Sequence, residues 1–275
     1  MHLPYTYPFP PDDNWVKHRR EVKRCRGACC YGALVIHFGT ESPKDLELRV
    51  DGRSPYCTDS GDPSISNKYR RWRQGKSLPN GGSVRHVFER SGGSVRLDMW
   101  RDLVLWELLD PENPSIQRIH QLLEGSSAWV RKTLFFGTNS DRLGRNIPLF
   151  PDRTRMLGIR NQYSLEAFLV LLCLARKAEL LEQESENYLS AACAFDIFPR
   201  VLYTHPQLLY RWEGLYKCLA SIYWRPEMRI ETIRASLEVL KAKPAAKLPM
   251  LSGERADKSI DPLTEWEQYR SASAK

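Results

Sequence analysis

Apolar positions in the C-terminal half of the chain recur at helical spacing. From Ser164 to Gln183, Leu165, Phe168, Leu169, Leu172 and Cys173 fall on one stripe. Glu166 occupies the first turn, where a carboxylate favours the helix dipole. Glu186 to Phe198 carries a second helical period, and Pro199 is expected to stop it. Thr204-x-x-Gln207 has the spacing of a capping box and opens a third helix through Leu208, Leu209, Trp212, Leu215, Tyr216, Leu219 and Tyr223. Pro226 separates this from a fourth, which runs to about Lys241. Four helices with short connections predict a helical bundle over residues 164–242.

The N-terminal half reads differently. Tyr31 to Phe38 is a continuous apolar run closed by Gly39, and Asp45 to Val50 alternates Leu46, Leu48 and Val50 with charged residues. Both match strands, and the turn between them predicts a β-hairpin. Trp15 to Arg26 is a basic helix or strand leading into that core. Asp98 to Leu109 is predicted as one strongly apolar helix. Asn113 and Pro114 mark a helix start that Gly125 ends, and Ser127 to Phe136 fits helix or strand equally. Residues 136–163 read as an irregular connector holding Arg142, Arg145, Arg153, Arg155 and Arg160. The expected class is mostly α (α+β). Its expected parts are an arm and hairpin at 1–61, a basic helical region at 62–136 and the connector at 137–163. The bundle at 164–242 and a tail at 243–275 complete the chain.

Charge singles out one stretch. Asp62 and Pro63 form a cap-then-proline start, Gly75 suits a helix end and Pro79 discourages continuation. Ile65, Tyr69 and Trp72 share a face, while Lys68, Arg70, Arg71 and Arg73 occupy the rest with no acid among them. The motif Trp72-x-x-Gly75-x-x-x-Pro79, with Lys76 after the glycine, resembles the end of the recognition helix in the Cro/phage-repressor helix-turn-helix family. The resemblance covers about thirty residues, Pro63 to Gly92, with Ser83 to Arg90 as the following helix. It implies a DNA-binding helix-turn-helix-like region from a bacterial mobile-element or phage-related setting. The family places two helices upstream, where Asp51 to Gly61 is rich in Gly, Pro, Ser and Asp.

Composition sharpens that reading. Among 275 residues, 41 Lys and Arg against 33 Asp and Glu give a formal net charge of +8, enough to favour polyanionic partners. The excess is local, since between Ser64 and Arg101 only Glu89 and Asp98 oppose nine bases. Lys68, Arg71 and Lys76 are expected to neutralise phosphates, and Arg70, Arg73 and Gln74 to meet base edges. Arg85 and the N-terminal Arg19, Arg20 and Arg24 extend the candidate nucleic-acid-binding set. Tyr69 and Trp72 are expected to pack, not to touch ligand. Tyr210, Trp212, Tyr216, Tyr223 and Trp224 suggest base stacking, but their spacing reads as core.

No nucleotide-binding glycine loop, nucleophile elbow or zinc-protease motif occurs. Seven scattered Cys argue against a disulfide framework, and Cys25-x-x-x-Cys29-Cys30 lacks the second couple of a structural zinc site. No cofactor, metal or membrane span is expected, and the predicted location is cytoplasmic. The reading is a non-enzymatic nucleic-acid-binding protein, DNA ahead of RNA, whose C-terminal helices meet a protein partner or self-associate. One alternative is a non-catalytic subunit of a ribonucleoprotein or multi-protein assembly. Another is a nuclease whose dispersed carboxylates, Asp45, Glu47 and Asp51, converge in a pocket.

Overall fold

The structure, a computed structural model, describes residues 11–52, 67–112, 114–135, 147–223 and 229–242. The protein is mainly α-helical, and among the described residues there is no β-strand. The chain divides into two compact units: Met1–Pro111 with His205–Ile222, and Glu112–Thr204 with Tyr223–Lys275.

The first unit is built on α1, Pro11–Phe38. Its stretch from Gly27 to Val35 is buried on every side, which is why the apolar run there mimics a core strand. A short apolar run alone cannot separate the two; here it belongs with the basic segment before it as one long helix. Gly39, read as a strand boundary, instead ends α1 at φ +63°, its N–H donating to Val35 O at 2.8 Å. The second expected strand is α2, Pro43–Asp51. Ser42 Oγ accepts from Asp45 N, Pro43 takes the first turn, and Gly52 closes it at φ +67°. Leu46 and Val50 are fully buried one turn apart while Leu48 is 53 % exposed, so the period is helical and the β-hairpin is not formed.

A six-residue helix, α3 (Lys68–Arg73), follows; the predicted start at Asp62, Pro63 and Ile65 lies outside the described residues. After it, α4 spans Gly81–Arg90 with Asn80 as its cap. The single helix expected over Asp98 to Leu109 is two, α5 (Leu97–Arg101) and α6 (Leu105–Leu108). The break falls where Trp106 Nε1 donates to Trp100 O at 2.7 Å and Arg26 Nε donates to Arg101 O, diverting those carbonyls from a continuing helix. The unit closes with a 3-10 turn, Pro206–Arg211, that packs on α1, and with the start of α12, Trp212–Tyr223.

The second unit opens with α7 (Ile116–Glu124), capped by Ser115, and α8 (Ala128–Leu134); the expected start at Asn113 lies outside the described residues. The expected irregular connector contains α9, Arg153–Arg160, capped by Asp152 Oδ1 on Arg155 N at 2.9 Å. Ser164 caps α10, Leu165–Leu180, and Glu166 does more than complement its dipole. Its carboxylate accepts from Ser127 N (2.8 Å), Ser127 Oγ (2.9 Å) and Trp129 Nε1 (3.1 Å), fixing the start of α8. α11 runs Glu184–Thr204 straight through Pro199, because Val201 and Leu202 beyond it are fully buried and tertiary packing outweighs the lost hydrogen bond. The capping box at Thr204 does not form, since Thr204 Oγ1 instead donates back to Arg200 O at 3.0 Å. α13, Ile230–Ala242, packs on α11 through Ile233 and Leu237.

The crossing of α3 on α1 depends on two glycines. Gly75 follows α3 at φ +63°, with Lys76 N donating to Arg71 O (2.8 Å) and Gly75 N to Trp72 O (2.9 Å), the paired bonds of a Schellman end. A Cβ on Gly75 would lie 2.2 Å from Arg24 Cα, and one on Gly27 would lie 2.8 Å from Gly75 Cα. Backbone meets backbone there. Gly75→Ala is therefore expected to destabilise the protein by at least ~2 kcal/mol in thermal or denaturant melts. Gly81→Ala, whose Cβ meets nothing within 4 Å at negative φ, should be neutral or stabilising in the same assay.

Candidate nucleic-acid interface

Tyr69 and Trp72 are 1 % and 2 % exposed, their rings edge to face at 5.1 Å, and they anchor α3 from below. At 100° per residue this turns Gln74 outward with Arg70 and Arg71 on either flank. Arg70, Arg71, Arg73, Gln74, Lys76 and Arg85 are all exposed. Among the described residues, these five cations make no ion pair. Lys68 differs from them, because its Nζ donates to both Asp51 oxygens at 3.0 and 3.1 Å and sits 4.6 Å above the Tyr69 ring. Tyr69 OH donates to the same carboxylate at 3.1 Å, and His86 Nε2 lies 3.1 Å from it. Asp51 thus ties α2, α3 and α4 together and engages Lys68. The other two carboxylates considered for a nuclease stand elsewhere on α2: Asp45 is exposed beside Thr40, and Glu47 is buried. Among the described residues, no cluster of three or more His, Cys, Asp or Glu side chains is placed to hold a metal ion.

Arg19, Arg20 and Arg24 project from α1 as exposed cations. Arg19 pairs loosely with Asp110 at 3.5 Å, and Arg24 Nη1 reaches Glu21 Oε2 at 3.3 Å. Because Gly75 rests against the Arg24 backbone, the cations that follow α3 and those of α1 meet at one crossing. Beside them, α1 and the 209–217 segment line a groove of about 710 Å³, bordered in part by Lys17, Arg20, Arg24, Arg211, Trp212 and Lys217.

The groove has a fixed wall. Arg211 donates Nε to Glu21 Oε1 at 2.6 Å and Nη2 to Oε2 at 3.1 Å, a two-pronged pair joining positions far apart in sequence. Burial alone would raise the Glu21 carboxyl, but the Arg211 and Arg24 guanidiniums outweigh it and hold it below its ordinary value of 4.5. Gly214 makes room for this pair, since a Cβ there would fall 2.4 Å from Glu21 Oε1.

Nothing local in the sequence marks Arg211, Trp212 and Lys217 as partners of α1; they arrive by tertiary packing. His18 is likewise committed, with Nε2 2.6 Å from Leu109 O, Nδ1 2.8 Å from Ser221 Oγ, and burial lowering its pKa. Cys25, Cys29 and Cys30 are buried thiols; burial pushes Cys30 up to about 12, and the hydrogen bond with Cys218, together with burial, raises Cys25. In the second unit, the connector arginines separate. Arg153 and Arg155 are exposed, Arg160 is buried with Nε 3.5 Å from Asp196, and Arg142 and Arg145 lie outside the described residues. Lys177 is also buried there, donating to Pro148 O beside the Phe150 ring, and burial lowers it to about 8. No helix among the described residues is long and apolar enough to cross a membrane.

No family, characterised protein or solved structure matches the chain in the three comparisons made.

The Glu21–Arg211 pair predicts a pH dependence. Its folded carboxyl titrates below the unfolded one, so the stabilisation is complete above about pH 4.5 and is lost as pH falls through the folded value. Glu21→Gln should cost about 1–2 kcal/mol at neutral pH. The difference between the two melting temperatures should shrink steadily on acidification.

Proposed function

We propose that the chain binds nucleic acid, with DNA as the ligand, through the cationic surface of its first unit. The observation that carries this reading is the meeting of two separate cation sets at the Gly27–Gly75 crossing, one from α1 and one on and after α3. Most of these side chains reach solvent without an acidic partner among the described residues, which is the footprint of a phosphate-binding surface. Arg71 and Lys76 neutralise phosphates; Arg70, Arg73 and Gln74 are available to base edges, in the helix-turn-helix-like manner that the Trp72–Pro79 motif resembles. Tyr69 and Trp72 hold the helix from beneath, and Lys68 supports it through Asp51.

The test is binding of the purified protein to a short labelled duplex between about 50 and 200 mM salt. Arg70→Ala, Arg71→Ala and Arg73→Ala combined should weaken binding and reduce the magnitude of the salt slope by about 1–3, with the melting temperature unchanged because all three side chains are exposed. An unchanged slope removes α3 from the interface. Absence of binding at the lowest salt rejects the function.

A further inference from the structure

The groove beside α1 has features that a flat phosphate-binding surface does not need. Its volume of about 710 Å³ lies within the range of small-molecule sites and is ample for one nucleotide. Its cations divide by role. Arg211 is consumed by Glu21, and Arg24 leans on the same carboxylate. Lys17, Arg20 and Lys217 are exposed and, among the described residues, carry no ion pair. One acidic side chain besides Glu21 lines the groove, the exposed Glu213.

Trp212 supplies the second element. Its indole is half-buried in the groove, and among the described residues neither the ring nor Nε1 has a partner. Leu215 and Leu219 of the same helix are 1 % and 0 % exposed, while Trp212 keeps part of its surface in the groove. A partly exposed aromatic side chain among unpaired cations is the pairing by which proteins hold unstacked bases, the ring taking the base and the cations its phosphates. Bound duplex keeps its bases stacked and offers none to such a ring.

We propose that this groove holds an unpaired nucleotide of a bound strand, its base stacked on Trp212 and its phosphates against Lys17, Arg20 and Lys217. The inference rests on the nucleic-acid-binding reading above and adds a ligand class to it, single-stranded segments. The Glu21–Arg211 pair is a positioning element. It fixes the wall from which Trp212 projects.

The experiment compares a labelled oligothymidylate with an abasic sugar–phosphate oligomer of equal length, with the short duplex as a third probe. The wild type should bind oligothymidylate about tenfold or more tightly than the abasic oligomer, the effect of one stacked base. Trp212→Leu should abolish that preference and leave duplex affinity unchanged, while Trp212→Phe retains most of it. Lys217→Gln, at an exposed position, should weaken both single-stranded probes alike, which keeps the test valid if Trp212→Leu fails to fold. Duplex binding with no preference for oligothymidylate, or a preference that survives Trp212→Leu, overturns this inference and leaves the broader function standing. Failure of all three probes to bind overturns both.

Discussion

The first unit depends on how closely other backbones approach α1. At Gly27 and Gly75 two main chains come within a distance that admits no Cβ on either side. That contact fixes where α3 ends and which of its faces turns to solvent. Burying Gly27 to Val35 completely and seating Tyr69 and Trp72 beneath α3 leaves the cations of both helices facing solvent. The cationic surface is a by-product of the packing. No acidic counterweight was left on α3, and two carboxylates of the unit have structural work: Asp51 holds Lys68, Tyr69 and His86, and Glu21 holds Arg211 and Arg24.

Those two carboxylates share a logic. Isolated surface ion pairs contribute little, because solvent screens them and ordering long side chains is costly. Asp51 is a half-buried acceptor for groups on α3 and α4, and Glu21 receives both prongs of one guanidinium, so geometry rather than charge alone makes each effective. Removing either would leave cations with no defined position. The cations that stay unpaired have no such structural use, and their availability is what the functional reading draws on.

Local signals were legible wherever one residue type had one physical use. The helix end at Gly75, the packing role of Tyr69 and Trp72, and the helix over Ser83 to Arg90 could all be read from the chain. The hairpin failed for two reasons. A buried helix and a buried strand share the same apolar run at Tyr31 to Phe38, and at Asp45 to Val50 three apolar residues fit either period. There the deciding signs were Ser42-Pro43 and Gly52, the same cap, proline and glycine punctuation found elsewhere in the chain. Pro199 and Thr204 misled because burial of Val201 and Leu202 carried α11 through Pro199 and on to Thr204, its last residue. The groove was illegible for a different reason. Lys17 and Arg20 belong to one end of the chain, Trp212 and Lys217 to the other, and only the fold brings them together.

The measurement closest to the central claim is photo-crosslinking of a bound oligonucleotide carrying thiothymidine, with the attached peptides identified by mass spectrometry. Adducts are expected in two regions distant in sequence: α1 around Lys17 to Arg24, and the segment from Arg70 to Lys76, with the Trp212 peptide joining them when the strand is single. Adducts confined to residues 112–204 would contradict that claim, placing the nucleic acid on the second unit and leaving the cations of α1 and α3 without a ligand.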